Sequence, residues 1–202
     1  MFNPNIKTSL AFIVLTVSTG WFCSVLPLNS SWAQAPTTQT LKDNEELARM
    51  HREDQADRTP AEGKPIDWAI VGPRDKARLA RVKELYTQNR LQTGGDYYHA
   101  AMILQHGQVP EDYLLAHEFC VVALSKGKND GYTKWLAAAS EDRFLMNIGR
   151  PQRFATQYRS DGPNLPIKLY TVDPGVTDEL RRAFNVPSLA RAKEKEAEIN
   201  KK

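Results

Sequence analysis

The residues whose types and spacing could do chemistry fall in three stretches of this 202-residue chain. In "LARMHREDQADR", Leu47 and Met50 begin an apolar stripe at helical spacing, and its continuation falls on His51, Asp54, Gln55 and Arg58. A helix written this way turns polar along its buried side. In "GYTKWLAAASEDRFLMNI", Trp135, Ala138 and Leu145 define an apolar stripe that Asp142 interrupts. Directly after it, "GRPQRFATQYRSDGPN" brings Gln152, Thr156 and Gln157 against the core, where an ordinary helix connection would need only a turn. As chemistry, Asp54 or Asp142 could act as general acid or base, His106 as proton shuttle, and Arg58 or Arg143 as holder of an anion. A carboxylate in a core stripe must in any case be paired or hydrogen-bonded, and Arg58, Arg143 and Arg153 are the candidate partners of Asp142. A ligand-facing site and an internal Asp/Arg packing network both satisfy that demand.

Two further groupings carry less. His99 and His106 share a helix face, but seven residues at 1.5 Å each separate them by about 10.5 Å, too far for both rings to hold one ion. Neither a metal nor another cofactor is expected. His106 stays in the candidate site because Gln105, His106 and Gly107 end a helix where a turn could face a pocket. Cys120 shares a stripe with Tyr113, His117 and Leu124 and reads as a small buried hydrophobe rather than a nucleophile paired with His117.

The elements that must position these residues are mostly helical. "LKDNEELARMHREDQADR" predicts a first helix over 41–58, ended by Pro60. "TPAEGKPIDWAIVGP" then reads as a long ordered loop pinned by Trp68, with the length of a lid. A second helix over 74–90 places Leu79, Val82 and Leu85 inward and its charges on the opposite face. Three more helices have marked ends: a Gly pair and Gly107, Pro110 and Gly127, Asp130 and Gly149. Their short links and alanine-rich faces make them antiparallel neighbours. "QRFATQY" and "PIKLYTV" alternate in character around the turn formers "RSDGPN", predicting a β-hairpin over 152–172 laid on the helices. Asp173 and Pro174 open a short helix, and Ser188 opens a charged tail helix with a solvated face. The fold expected is mainly α, a compact antiparallel helical bundle with a small packed hairpin, over 41–190, followed by the charged tail at 191–202.

The N-terminus reads as an export signal over 1–33. Lys7 is the only charge before an uncharged run, and "NSSWAQA" supplies the small residues of a cleavage site after Ala33, with a linker at 34–40. The alternative is an uncleaved membrane anchor at 8–28. Cys23 lies in this segment, which leaves Cys120 without an internal disulfide partner. The expected location is periplasmic or extracellular. The formal charge of +3 comes from 27 basic and 24 acidic residues spread along the chain, so no basic stripe exists to bind nucleic acid.

"EDQADR", "AAMILQHG", "WLAAASEDRFLMNIGRPQRFATQ" and "VDPGVTDELRRAFNVPSL" together resemble a bacterial family catalogued as a domain of unknown function. Its pattern runs Asp-Gln-x-x-Arg, Gln-His, Asp-Arg, Gly-x-Pro-Gln and a Gly-Thr-Gln triplet, over roughly residues 43–190 here. The resemblance implies a site of Asp54, Gln55, Arg58, His106, Asp142, Arg143, Gln152, Thr156 and Gln157, and no established reaction. Ala155 stands where that family has glycine, so a positive φ is not expected at this position. The functional expectation is an exported binding module whose pocket, between the first helix, the 131–148 helix and the hairpin, takes a small polar ligand or peptide. The alternatives are a metal-independent hydrolase or transferase using these Asp, His and Arg residues, and a purely structural or interaction protein.

Overall fold

A computed structural model describes residues 41–201; the expected export signal, its cut after Ala33 and the linker lie outside the described residues. Helix α1 (Glu45–Asp57) starts on Asn44, whose side chain accepts from the N–H groups of Glu46 and Leu47. Helix α2 (Trp68–Thr87) starts on Asp67 rather than at Arg74, so the expected long loop shrinks to 58–67. Trp68 does not pin that loop: it is 62% exposed, and Val71, buried, anchors the first turns instead. Pro73, the sixth residue of α2, lies past the first turn and leaves the helix without the hydrogen bond that an N–H there would donate to Ala69 O.

Helix α3 (Gly94–Leu104) begins with a capping box between Thr93 and Asp96. The Asp96 carboxylate also accepts from Asn44 N at 2.6 Å and Gln92 N at 2.9 Å, tying the starts of α1 and α3 together. Helix α4 (Pro110–Ser125) has proline in its first turn, and α5 (Gly131–Asn147) is capped by Asp130. Gly127 and Gly149 have φ of 89° and 72°, the left-handed stops their positions predict. Helix α4 packs on both α3 and α5, with Ala100, Ala116, Ala123 and Ala137 fully buried. Leu47, Val82, Leu85, Ile103, Leu104, Phe119 and Leu136 fill the core.

The hairpin is shorter than expected. Strand β1 (Tyr158–Ser160) pairs antiparallel with β2 (Ile167–Leu169), Tyr158 opposite Leu169. Residues 153–157 are not strand, because the amides of Arg153, Phe154 and Thr156 are drawn to the Asp142 carboxylate and that of Gln157 to Gln152 Oε1; Gln152 keeps only an isolated bridge to Val172. Helix α6 (Asp178–Ala183) starts on Thr177, whereas Asp173, expected to open it, closes a turn onto Gly175 N. Helix α7 (Leu189–Ile199), capped by Ser188, is not a free solvated tail. Glu196 accepts from Leu169 N, and Asn200 both accepts from Ile167 N and donates to Ile167 O, so the tail satisfies the open edge of β2. The result is a mainly helical fold of seven packed helices and one antiparallel hairpin among the described residues. No described helix is long and apolar enough to cross a membrane.

Candidate functional site

The polar stripe of α1 meets α2. Asp54 is 1% exposed, and its carboxylate accepts from Arg58 Nη1 at 2.8 Å and Gln55 Nε2 at 2.8 Å. Arg58 spans outward to Asp75 on α2 at 2.6 Å. Arg78 donates to both Asp75 and Asp57, at 2.7 Å and 2.8 Å, and Arg74 also reaches Asp57. Burial pushes the Asp75 and Asp57 carboxyls up, but the Arg58, Arg78 and Arg74 guanidiniums outweigh it and hold both below the ordinary carboxylate range. His106 Nε2 lies 3.5 Å from Asp54 Oδ2 and has no hydrogen-bond partner.

Asp57, Asp75 and Arg78 were not among the sequence candidates. The available signal was the recurrence of Val71, Arg78 and Leu85 every seven residues, which puts Arg78 on the inward face of α2 although charges there were expected to point out. It is only 7% exposed.

Asp142 has a different partner from the expected arginine. It is 0% exposed, and Oδ1 accepts from Arg153 N at 2.6 Å and Phe154 N at 2.8 Å, while Oδ2 accepts from Thr156 N at 3.0 Å and Thr156 Oγ1 at 2.8 Å. Loop amides converge on the carboxylate as they would on a bound anion. The Arg153 guanidinium goes instead to Glu141 and Asp173. Burial raises the Asp142 carboxyl, against the pull of these four bonds. Wrapping the loop this tightly needs one left-handed residue, and Ala155 supplies it at φ 62°, contrary to expectation and at a cost of about 1–2 kcal/mol. Gln152 is equally committed: Nε2 donates to Gln157 O and Tyr170 O, and Oε1 accepts from Gln157 N.

Arg143 links the two groups. Its Nε donates to Gln157 Oε1 at 3.3 Å and its Nη1 to Gln105 O at 2.5 Å, and its guanidinium stands 5.7 Å over the Tyr113 ring. Gln157 in turn donates to Ala139 O and Thr156 Oγ1. Arg58, His106, Arg143 and Gln157 all line one cleft of about 1210 Å³, whose walls are α2, the α3–α4 turn and the end of α5. Asp54 and Gln55 do not line it, and Asp54 is joined to it only through Arg58; Asp142 and Gln152 are buried away from solvent, and Thr156 borders a separate groove near Tyr158 and Lys195. The hairpin itself contributes no wall beyond Gln157, and α2, absent from the expected pocket, contributes a full one.

Gly107 sets the turn at the cleft. A Cβ there would overlap Asp112 Cβ and Oδ2, and Asp112 is held in place by Lys83. Tyr113 OH also donates to Gly107 O at 2.6 Å. Gly107→Ala is expected to cost about 2 kcal/mol through this overlap, read as a lowered urea midpoint; a change under about 0.5 kcal/mol would mean the turn has slack.

The other histidines take structural places. His117 Nδ1 is 2.9 Å from Ala137 O, and Cys120 is fully buried, with burial pushing its thiol well up. His99 stacks on His51 with centroids 4.7 Å apart, between α1 and α3. Burial, aided by His51, pushes the His99 imidazole down to about 4. The unfolded chain, with His near 6.5, then binds more protons than the native state between pH 6.5 and 4, so stability is full above that window and falls as pH drops through it. The expected loss is on the order of 1–2 kcal/mol, since solvent screens a ring that is only partly buried. Urea midpoints at pH 7 and pH 5 should differ accordingly, and His99→Phe should remove most of the difference; an unchanged slope would place the titration elsewhere. Comparison with known proteins adds no relative: no protein-family model, no curated protein and no solved structure matches the chain.

Proposed function

We propose that the protein is a binding module whose cleft between α2, the α3–α4 turn and α5 takes a small polar ligand or a short peptide. The observation that carries this reading is unused hydrogen-bonding capacity at the cleft: Arg143 lines it, and its Nη2 makes no hydrogen bond among the described residues. Asp142, Gln152 and Thr156 act on this reading as the scaffold that holds Gln157 and Arg143 in place.

A thermal-shift panel of polar metabolites and short peptides tests it, because a ligand at 100 times its Kd stabilises the native state by about 2.7 kcal/mol. Gly72→Trp supplies the control. Gly72 lines the cleft and an added Cβ there meets nothing within 4 Å, so the variant adds bulk to the cleft wall without a clash at the root of the side chain. Hits should vanish in that variant; hits that survive it sink the assignment of the site.

A second reading, acid–base chemistry, draws on the contact of His106 Nε2 with Asp54 Oδ2 at 3.5 Å. It would show as turnover of a panel member by the wild type and its loss in His106→Gln. On either reading we propose an exported protein beginning at Gln34. N-terminal sequencing of the protein from its native host checks this, and an intact Met1 in membrane fractions would establish the anchor instead.

A further inference from the structure

We propose that Arg143 is the anchor for a carboxylate on the ligand, with the rest of that ligand lying on the apolar side of the cleft. This rests on the cleft being a binding site. The charges around the cleft are mostly spent on one another: Arg58 on Asp54 and Asp75, Lys83 on Asp112. Arg143 and Lys76 are left, and no ion pair holds either among the described residues. Lys76 is an exposed point charge on a flexible stem, but Arg143 is partly buried and its protonated form is disfavoured by that burial.

A partly buried guanidinium with no counter-ion is the place where an incoming anion gains most, because it replaces a desolvated cation by a charge-assisted pair. The Arg143 group is also already oriented. Gln157 Oε1 holds Nε, Gln105 O holds Nη1, and the Tyr113 ring lies beneath the plane, so little side-chain entropy is left to lose on binding. Of its five N–H donors these contacts use two, leaving Nη2 and the second hydrogen of Nη1 for the ligand.

The chemistry of the surroundings selects among anions. Leu79, Val109, Tyr113 and Met146 line the same cleft, and Trp68 stands 62% exposed at its edge. One free guanidinium beside such a surface suits a singly charged, planar carboxylate on an apolar body better than a doubly charged phosphate, which calls for more donors than Arg143 has left. The carboxylate could belong to a small organic acid or to the C-terminus of a peptide.

Isothermal titration of the purified protein with N-acetyl-Ala-Ala-Phe, its C-terminal amide, 3-phenylpropionate and inorganic phosphate tests the inference. The free tripeptide acid, 3-phenylpropionate or both should bind at least tenfold more tightly than the tripeptide amide and than phosphate, and the stronger of the two acids identifies the source. Arg143→Gln should bring acid and amide within twofold of each other, whereas Lys76→Gln should change the ratio by no more than about threefold. If Arg143→Gln fails to fold, the Arg143 Nε–Hε resonance of the wild type decides: it should shift on adding the acid and stay in place on adding the amide. Equal affinity for acid and amide would overturn the anchor and leave the cleft as a binding site. Binding of neither acid, or a preference that survives Arg143→Gln, would also overturn the anchor, and the Gly72→Trp comparison would then judge the cleft on its own.

Discussion

Asp142→Asn is expected to destabilise the protein by about 3 kcal/mol or more, although it conserves shape and removes a charge that burial disfavours. Both carboxylate oxygens are accepting two hydrogen bonds each, from Arg153 N and Phe154 N on one side and from Thr156 N and Oγ1 on the other. An amide presents an NH2 group to one of these pairs whichever way it is turned. Facing Oδ1's pair, it opposes two backbone N–H donors that cannot rotate away. Facing Oδ2's pair, it opposes one, while the Thr156 hydroxyl can turn to accept; this is the better arrangement, and it still strands a buried N–H and weakens the remaining bonds by removing the charge. Thr156→Ala, which deletes one bond and leaves the carboxylate, should cost only about 1 kcal/mol. Urea unfolding gives both values, and amide exchange at Arg153, Phe154 and Thr156 should accelerate in Asp142→Asn before exchange in α3 and α4 does. A loss under about 1 kcal/mol, with those amides still protected, would mean that the loop holds its shape without the carboxylate.

Arg78→Gln is the second large effect expected, about 3–5 kcal/mol at neutral pH. Arg78 bridges Asp57 and Asp75 and lies 3.9 Å from Asp54, and all four side chains are largely shielded from water. Without it, three carboxylates at the α1–α2 contact share Arg58 and Arg74. The pH dependence gives the diagnosis. In the wild type, Asp57 and Asp75 are held below their ordinary range, so their contribution is full above about pH 4 and is lost as pH falls through their folded values. In the variant only Arg58 and Arg74 are left to depress these carboxyls, so the depression is smaller, acid costs the variant less, and the gap between the two stability curves should narrow below pH 4. Arg78→Gln combined with Asp75→Asn should recover part of the loss at pH 7, because it removes a carboxylate the glutamine cannot neutralise. Parallel curves, with no convergence in acid, would show that Arg78 matters for its packed stem and not for its charge.

Periodicity and punctuation were enough for α3, α4 and α5, while the starts of α2 and α6 fell elsewhere than expected. Asp130, Pro110, Thr93's neighbours and the glycines at 127 and 149 act through their own backbone within one turn, and the alanine faces of α3 and α5 declare close packing wherever those helices meet. That polar residues enter the core at Asp54, Asp142, Gln152 and Gln157 was legible for the same reason: a stripe at helical spacing, or a polar run against an apolar helix, is a local property. What those residues touch is not local. Asp142 draws in the amides at 153, 154 and 156, an attraction that converts an alternating, strand-like stretch into a loop and forces Ala155 to a positive φ. Trp68 failed as an anchor because Val71 is the residue that finds the core, and the charged tail helix became structural because β2 had an edge to satisfy. The chain by itself determined which residues would be polar where polarity is costly; only the tertiary structure decided their partners. Asp142 spends its charge on backbone, Arg58 and Arg78 spend theirs on carboxylates, and Arg143 is left facing a cleft, because hydrogen-bond partners are assigned by distance in space, and spacing along the chain carries that information only within a single element.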